Sequence, residues 1–208
     1  MLNEEFWTLE GPGTAHTRVL GSRFSARAFP LEAGESIESA LALSKKLYHD
    51  ASHHCWASIE RKDNDLVQTQ SDAGEPKSTA GLPILQELRK AALENSGVIV
   101  TRWFGGTKLG TGGLVRAYGE CAALAIQDAT KVQRRTGLIV VVDADYDMQN
   151  IVFQLATKFF AKVEGGGEGD GTTMRVRLKR KQVDDFIVAL RDQSAGKLIG
   201  NVGDVWTS

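Results

Sequence analysis

The densest chemical pattern in the chain runs from Arg102 to Gly119, reading Arg-Trp-Phe-Gly-Gly-Thr-Lys-Leu-Gly-Thr-Gly-Gly-Leu-Val-Arg-Ala-Tyr-Gly. The chemistry it could support is anion binding. Gly110, Gly112 and Gly113 let the backbone come close to a ligand, and a helix start just beyond them offers free N–H groups. Lys108 and Arg116 would add charge at the loop, with Arg102 and Arg23 as further cations. The familiar phosphate loops are not matched: no Gly-Lys-Ser/Thr ending is present, and Val115 stands where a dinucleotide fingerprint needs its third glycine. A purely structural role, a tight turn packing helix on strand, explains the same glycines. Both readings stay open on the sequence.

A second pattern, Ser71 to Pro83, reads Ser-Asp-Ala-Gly-Glu-Pro-Lys-Ser-Thr-Ala-Gly-Leu-Pro. Asp72 and Glu75 could act as an acid–base pair in a cleft. Asp72 and Thr79 also suit turn and helix-cap duty, which is the simpler expectation. His53, His54 and Cys55 resemble metal ligands, but neighbours on a strand point to opposite faces, so all three cannot reach one ion. No metal site is expected. His54 is a candidate general base for Asp72 or Glu75, set against an ordinary hydrogen-bonded histidine. His54, Asp72, Glu75 and Thr79 thus form the candidate cleft, and the two glycine-rich connections are expected to meet there. No serine has a nucleophile-elbow context. Arg175, Arg177, Lys179 and Lys181 form a basic row that could touch RNA or simply be solvated.

The elements needed to place these residues are legible from periodicity. Val19–Phe29 alternates as a strand, and Ile37, Ala40, Leu41, Ser44 and Leu47 mark a helix face. His53–Ile59 and Leu66–Thr69 pair as strands, Pro83 suits a helix first turn ended by Asn95-Ser96-Gly97, and Val98–Phe104 is a strand. A glycine loop, 105–113, leads into a helix near Leu114. The polar basic stretch 131–136 is read as a linker. Beyond it come strand Leu138–Val142, a helix capped by Asp147, a strand ending at Val163, strand Thr172–Leu178, a helix with Phe186 and Leu190, and a last strand between Leu198 and Trp206. That βαββαβ order is ferredoxin-like. The fold class is α+β in two domains, 1–134 and 137–208, as 208 residues and 42% hydrophobic content allow. A net charge of −1 excludes a chain-wide basic field, so nucleic-acid binding would need a local patch. Two distant cysteines, no leader-like start and no apolar run of membrane length predict a cytoplasmic protein with free thiols.

Taken together, these segments resemble the IMPACT/YigZ family in its bacterial two-domain branch. The resemblance rests on Ser22-Arg23-Phe24, His53-His54-Cys55, Asp72-Ala73-Gly74-Glu75-Pro76, Thr79-Ala80-Gly81, and Arg102 through Tyr118, in order across roughly residues 15 to 130. Lys77 departs from it, where many relatives carry a small residue. The resemblance implies an N-terminal ribosomal-protein-like domain with a left-handed βαβ crossover, as in GHMP kinases and elongation factor G. For the second domain it implies a ferredoxin-like fold similar to the last domain of elongation factor G. The expected function is a non-catalytic, translation-associated regulator binding RNA or a ribosome-associated protein, without cofactor. The alternatives are an enzyme acting on a phosphorylated small molecule or nucleotide through the glycine loop, and a protein-interaction adaptor.

Overall fold

The computed structural model describes residues 3–31, 36–62, 65–166 and 172–207, and the chain divides into two units, Met1–Gln133 and Arg134–Ser208. The first contains β1 (Glu5–Leu9), β2 (Gly13–Val19), β3 (Ser22–Pro30), α1 (Ile37–Leu47), β4 (His53–Lys62), β5 (Asp65–Ser71), α2 (Gly81–Lys90), β6 (Ser96–Trp103) and α3 (Gly110–Asp128). Its sheet is antiparallel throughout, in the order β2-β3-β6-β4-β5. Leu20 and Gly21, with φ of 46° and 82°, form the mirror-image turn whose twist suits a two-residue hairpin loop.

Alternation along the strands decides which face receives which helix. Phe24, Ala26 and Ala28, with Cys55, Ala57, Val98 and Val100, face α2 and α3 and form the main core. Leu114, Ala117, Tyr118, Cys121, Ala122 and Ala125 recur on α3 at the spacing of a single helical face. Burying a side chain such as Phe24 or Leu88 contributes roughly 1.5–3 kcal/mol each. The other face carries Phe29 and Ile99, covered by Ile37 of α1. Ser36 starts α1 with a reciprocal cap, in which Ser39 N–H donates to Ser36 Oγ (3.2 Å) and Ser36 N–H to Ser39 Oγ (3.1 Å). The helix covers only part of that face.

The second unit contains most of β7 (Lys131–Asp143), then α4 (Tyr146–Lys158), β8 (Lys162–Gly165), β9 (Thr173–Leu178), α5 (Val183–Gln193) and β10 (Gly200–Thr207). Its strands lie in the order β10-β7-β9-β8, every neighbour antiparallel. Val140, Val142, Met174 and Val176 from the sheet meet Val152, Leu155, Phe186 and Leu190 from the helices. Of the basic row, Arg175 and Arg177 lie on β9 and are engaged locally, Arg177 with Glu164 at 2.7 Å and Arg175 with Asp204 at 3.6 Å, while Lys179 and Lys181 lie beyond the strand. No helix among the described residues is long and apolar enough to cross a membrane.

Four local expectations are corrected. Residues 131–136 are not a linker but the first half of β7, with alternating exposure that a polar strand hides from a hydrophobicity reading. The α3 helix begins at Gly110, so Gly112 and Gly113 are its first turn; glycine carries no side chain to mark a helical period. The α2 helix ends at Lys90, while Ser96 and Gly97 open β6. Asp147 lies within the first turn of α4, and Asp145 occupies the cap position.

Candidate functional site

Strand register explains how the two sequence motifs meet. Phe24, Arg102 and His53 align in one row across β3, β6 and β4, and Ser25, Thr101 and His54 in the next. Adjacent rows of a pleated sheet point to opposite faces. Arg102 and His53 therefore join the core under α2 and α3, while Thr101 and His54 face α1.

On the core face Arg102 Nη1 donates to Glu75 Oε1 at 2.7 Å, and their side chains are only 5% and 4% exposed. Arg102 Nη2 donates to Ser22 Oγ at 3.1 Å, and the guanidinium lies over the rings of Phe24 and Phe104 at 5.5 and 5.6 Å. Tyr118 Oη donates to the same Glu75 oxygen at 2.7 Å, and His53 Nε2 stands 3.9 Å from it. Tyr118 meets Phe24 edge-on at 5.2 Å. Burial, then the nearby Cys55 and Glu75, pushes its hydroxyl far above the tyrosine range, so it stays a donor. The Gly105 N–H also reaches Ser22 Oγ, at 3.2 Å. A Cβ on Gly105 would lie 1.9 Å from the Gly21 carbonyl carbon, so only glycine permits this closure of β6 against the β2–β3 turn.

The acidic turn is held from below. Cys55 Sγ donates to the Asp72 carbonyl at 3.0 Å. The Asp72 carboxylate accepts N–H groups from Ser78 (2.8 Å), Ala80 (3.0 Å) and Gly81 (2.9 Å), capping α2 from across the turn. Thr79 is buried and bonds back to Pro76 at 2.7 Å instead of capping the helix. Burial raises the Asp72 pKa, but the backbone N–H groups of Ser78, Gly81, Ala80 and Thr79 outweigh it, and the net shift is downward. Its contribution to stability is thus fully present above the unfolded aspartate pKa of about 3.9 and lost as pH falls through the lower folded value. Asp72→Ala is expected to lower stability by about 1–3 kcal/mol at pH 7. Urea midpoints of wild type and variant should converge as pH drops below about 4; an undiminished gap in acid would show that the carboxylate charge is irrelevant.

The motifs therefore meet, but around a buried network and not as the floor and rim of an open cleft. Glu75 has its donors in place, and Arg102 commits Nη1 to Glu75 and Nη2 to Ser22, with its Nε buried and without a partner among the described residues. Neither stands free as an acid–base or phosphate-binding group. His54 joins neither Asp72 nor Glu75. Its Nδ1 lies 3.1 Å from Ser44 Oγ and 3.3 Å from Thr101 Oγ1 on the other face, and burial, then Lys45, lowers its pKa. His53, weighed from sequence only as a metal ligand, is the histidine beside Glu75; its shared face with Cys55 was the available signal. Among the described residues no three metal-ligating side chains converge.

The remaining cations are dispersed. Lys108 and Arg116 are exposed in the loop and start of α3, where Gly106 and Gly110 take φ of 86° and 69° and Gly112 faces open space. Arg23 lies on the α1 face, its guanidinium 5.0 Å over the Trp103 ring. Trp103 meets Tyr48 edge-on at 5.4 Å. Here the sheet surface not covered by α1 forms an open groove of about 540 Å³, lined by His16, Arg18, Arg23, Ser25, Tyr48 and Trp103 among others. It adjoins a narrower groove of about 220 Å³ between β3 and α1, whose lining includes Arg27, Leu43, Ser44, Leu47, Ile99 and Thr101.

Residues 20–126 match the model of the Impact N-terminal domain. The chain is 35% identical to an IMPACT family member of Haemophilus influenzae over 176 residues, covering 81% of this chain and 84% of that one. It is 30% identical to the IMPACT family member YigZ of Escherichia coli over 197 residues, 93% and 96% of the two chains. The crystal structure of a hypothetical protein, 27% identical, superposes with a TM-score of 0.70 over 98% of this chain and 99% of that one. Both motifs and the network that joins them fall inside the matched stretch, and the chain belongs to the IMPACT family.

Proposed function

We propose that the first unit is a non-catalytic, translation-associated binding module that holds RNA on the sheet face beside α1. The observation that carries this reading is the pairing of Arg18 with Arg23, directly opposite each other across β2 and β3. Like charges so placed destabilise a sheet, and an anionic partner relieves the repulsion. Among the described residues neither arginine makes an ion pair; the Asp50 carboxyl, lowered mainly by the neighbouring Trp103 indole, feels Arg23 only weakly. Arg27 extends the charge, and Trp103 and Tyr48 supply rings. This is the combination by which phosphates are placed by charge and bases by stacking. The enzymatic alternative loses its acid–base pair to the buried network.

The fold readings support the same assignment. The second unit's strand order, with two helices on one face, is read as ferredoxin-like. In the first unit β5 and β6 run parallel on either side of β4, joined by α2, and this is read as the left-handed crossover of the ribosomal-protein-like fold.

Filter binding of single-stranded RNA across a salt series tests the proposal. Each phosphate neutralised contributes a log–log slope of roughly −0.7, so this patch predicts about −2. Arg18→Ala and Arg23→Ala should each flatten the slope by about 0.7 and weaken all sequences alike. If Lys108→Ala and Arg116→Ala do this instead, the interface is the glycine loop. Undetectable or salt-insensitive binding by the wild type overturns the RNA reading and leaves the protein adaptor.

A further inference from the structure

We infer that this face takes its RNA single-stranded and receives one unstacked base in the groove between α1 and β3. The inference rests on the RNA reading above and adds to it the form of the nucleic acid. Charge alone does not distinguish a duplex from a single strand, because both present phosphates. The groove does. Its walls include Ala40, Leu43, Leu47 and Ile99, and its polar groups include the hydroxyls of Ser44 and Thr101. At about 220 Å³ it is smaller than the roughly 300–1,000 Å³ of a site for a drug-sized molecule, which suits one ring system. A base inside a duplex cannot enter it; only a splayed base reaches such a slot.

Four further features fit that occupant. Leu43 and Leu47 are 49% and 62% exposed, leaving an apolar lip on the helix. Ser44 Oγ, Thr101 Oγ1 and His54 Nδ1 lie within 3.1–3.3 Å of one another, a fixed polar cluster at the groove in which half-buried Ser44 is the more accessible hydroxyl and Thr101 is buried. The same His16, Ser25 and Tyr48 line both grooves, so a strand with its base in the narrow groove runs directly onto Trp103 and the arginines. Arg23 and Arg27 are four residues apart on β3, about 13 Å, the span of a short run of nucleotides and not of a single phosphate.

The test compares an unstructured RNA oligonucleotide with the duplex of the same sequence, at fixed salt, on the intact chain. The single strand is expected to bind about five- to a hundredfold more tightly, the range one stacked base supplies. Leu43→Arg gives the decisive variant, because it adds a positive charge while filling the groove. It should weaken single-strand binding in spite of that charge and leave duplex binding equal or stronger. Leu47→Arg, at a more exposed position, repeats the measurement should the first variant fold poorly. Equal affinity for both forms, or tighter single-strand binding by both arginine variants, overturns the inference while the RNA reading stands. Absence of binding to either form removes both.

Discussion

Arg102→Met is expected to lower the unfolding free energy of the first unit by about 3–5 kcal/mol, the effect of leaving one member of a buried ion pair behind. Methionine keeps much of the arginine's volume between Phe24 and Phe104 but donates nothing. Glu75, 4% exposed, would keep only the Tyr118 hydroxyl and the more distant His53 imidazole. Glu75→Gln should be costly too, since the guanidinium would then be buried without a counter-charge. The double variant, Glu75→Gln with Arg102→Met, removes both charges and is expected to recover most of the loss, because an uncharged replacement for a buried pair is often neutral. Urea unfolding followed by tryptophan fluorescence checks this. A single-variant change below about 1 kcal/mol, the level of a surface pair, would show that solvent reaches the network.

The Cys55 thiol should be nearly inert in the folded chain. Burial pushes its pKa up to about 12; the neighbouring Tyr118 opposes this, and the charges of Glu75 and Asp72 add to it. An ordinary thiol titrates near 8.5 and reacts as its thiolate. At neutral pH the reactive fraction of Cys55 is therefore lower by about three orders of magnitude. Cys121 is likewise raised by burial. With a chromogenic disulfide reagent both thiols should stay silent in buffer and appear together in denaturant. Rapid modification of the native protein would contradict the packing beneath the acidic turn. In the Arg102→Met background labelling should quicken, since access then follows the population of opened molecules.

Alternation made the strand faces legible but not which partner each face would meet. The run from Ser22 to Phe29 shows its apolar side plainly, and so does the run from Val98 to Val100. His53 and His54 are one residue apart and equally polar, and only the register against Arg102 and Thr101 separates the residue beside Glu75 from the one under α1. The two motifs looked like one open cleft because glycine, aspartate and arginine are typical of exposed loops. Burial of the Arg102–Glu75 pair depends on Phe24, far away in sequence, and on Tyr118, which lies in the same motif as Arg102 but reaches Glu75 only because α3 folds back over the sheet. The groove on the other face was hidden for the same reason. His16 and Arg18 belong to β2, a strand whose inward residues are Ala15, Thr17 and Val19, too weakly apolar to announce themselves.

The central position of β6 has a consequence for the order in which the sheet can be made. Synthesis delivers β2 and β3 first, then β4 and β5, and each pair can close locally as a hairpin. Neither hairpin touches the other in the finished sheet; β6 is the strand that lies between β3 and β4 and bonds to both. Until residues 96–103 leave the ribosome, two open edges wait unpaired, the kind of exposure that invites association between nascent chains. The arrival of β6 fills the gap, and its last turns of sequence bring Arg102 to Glu75. A nascent chain stalled before Ser96 would hold two hairpins and no sheet.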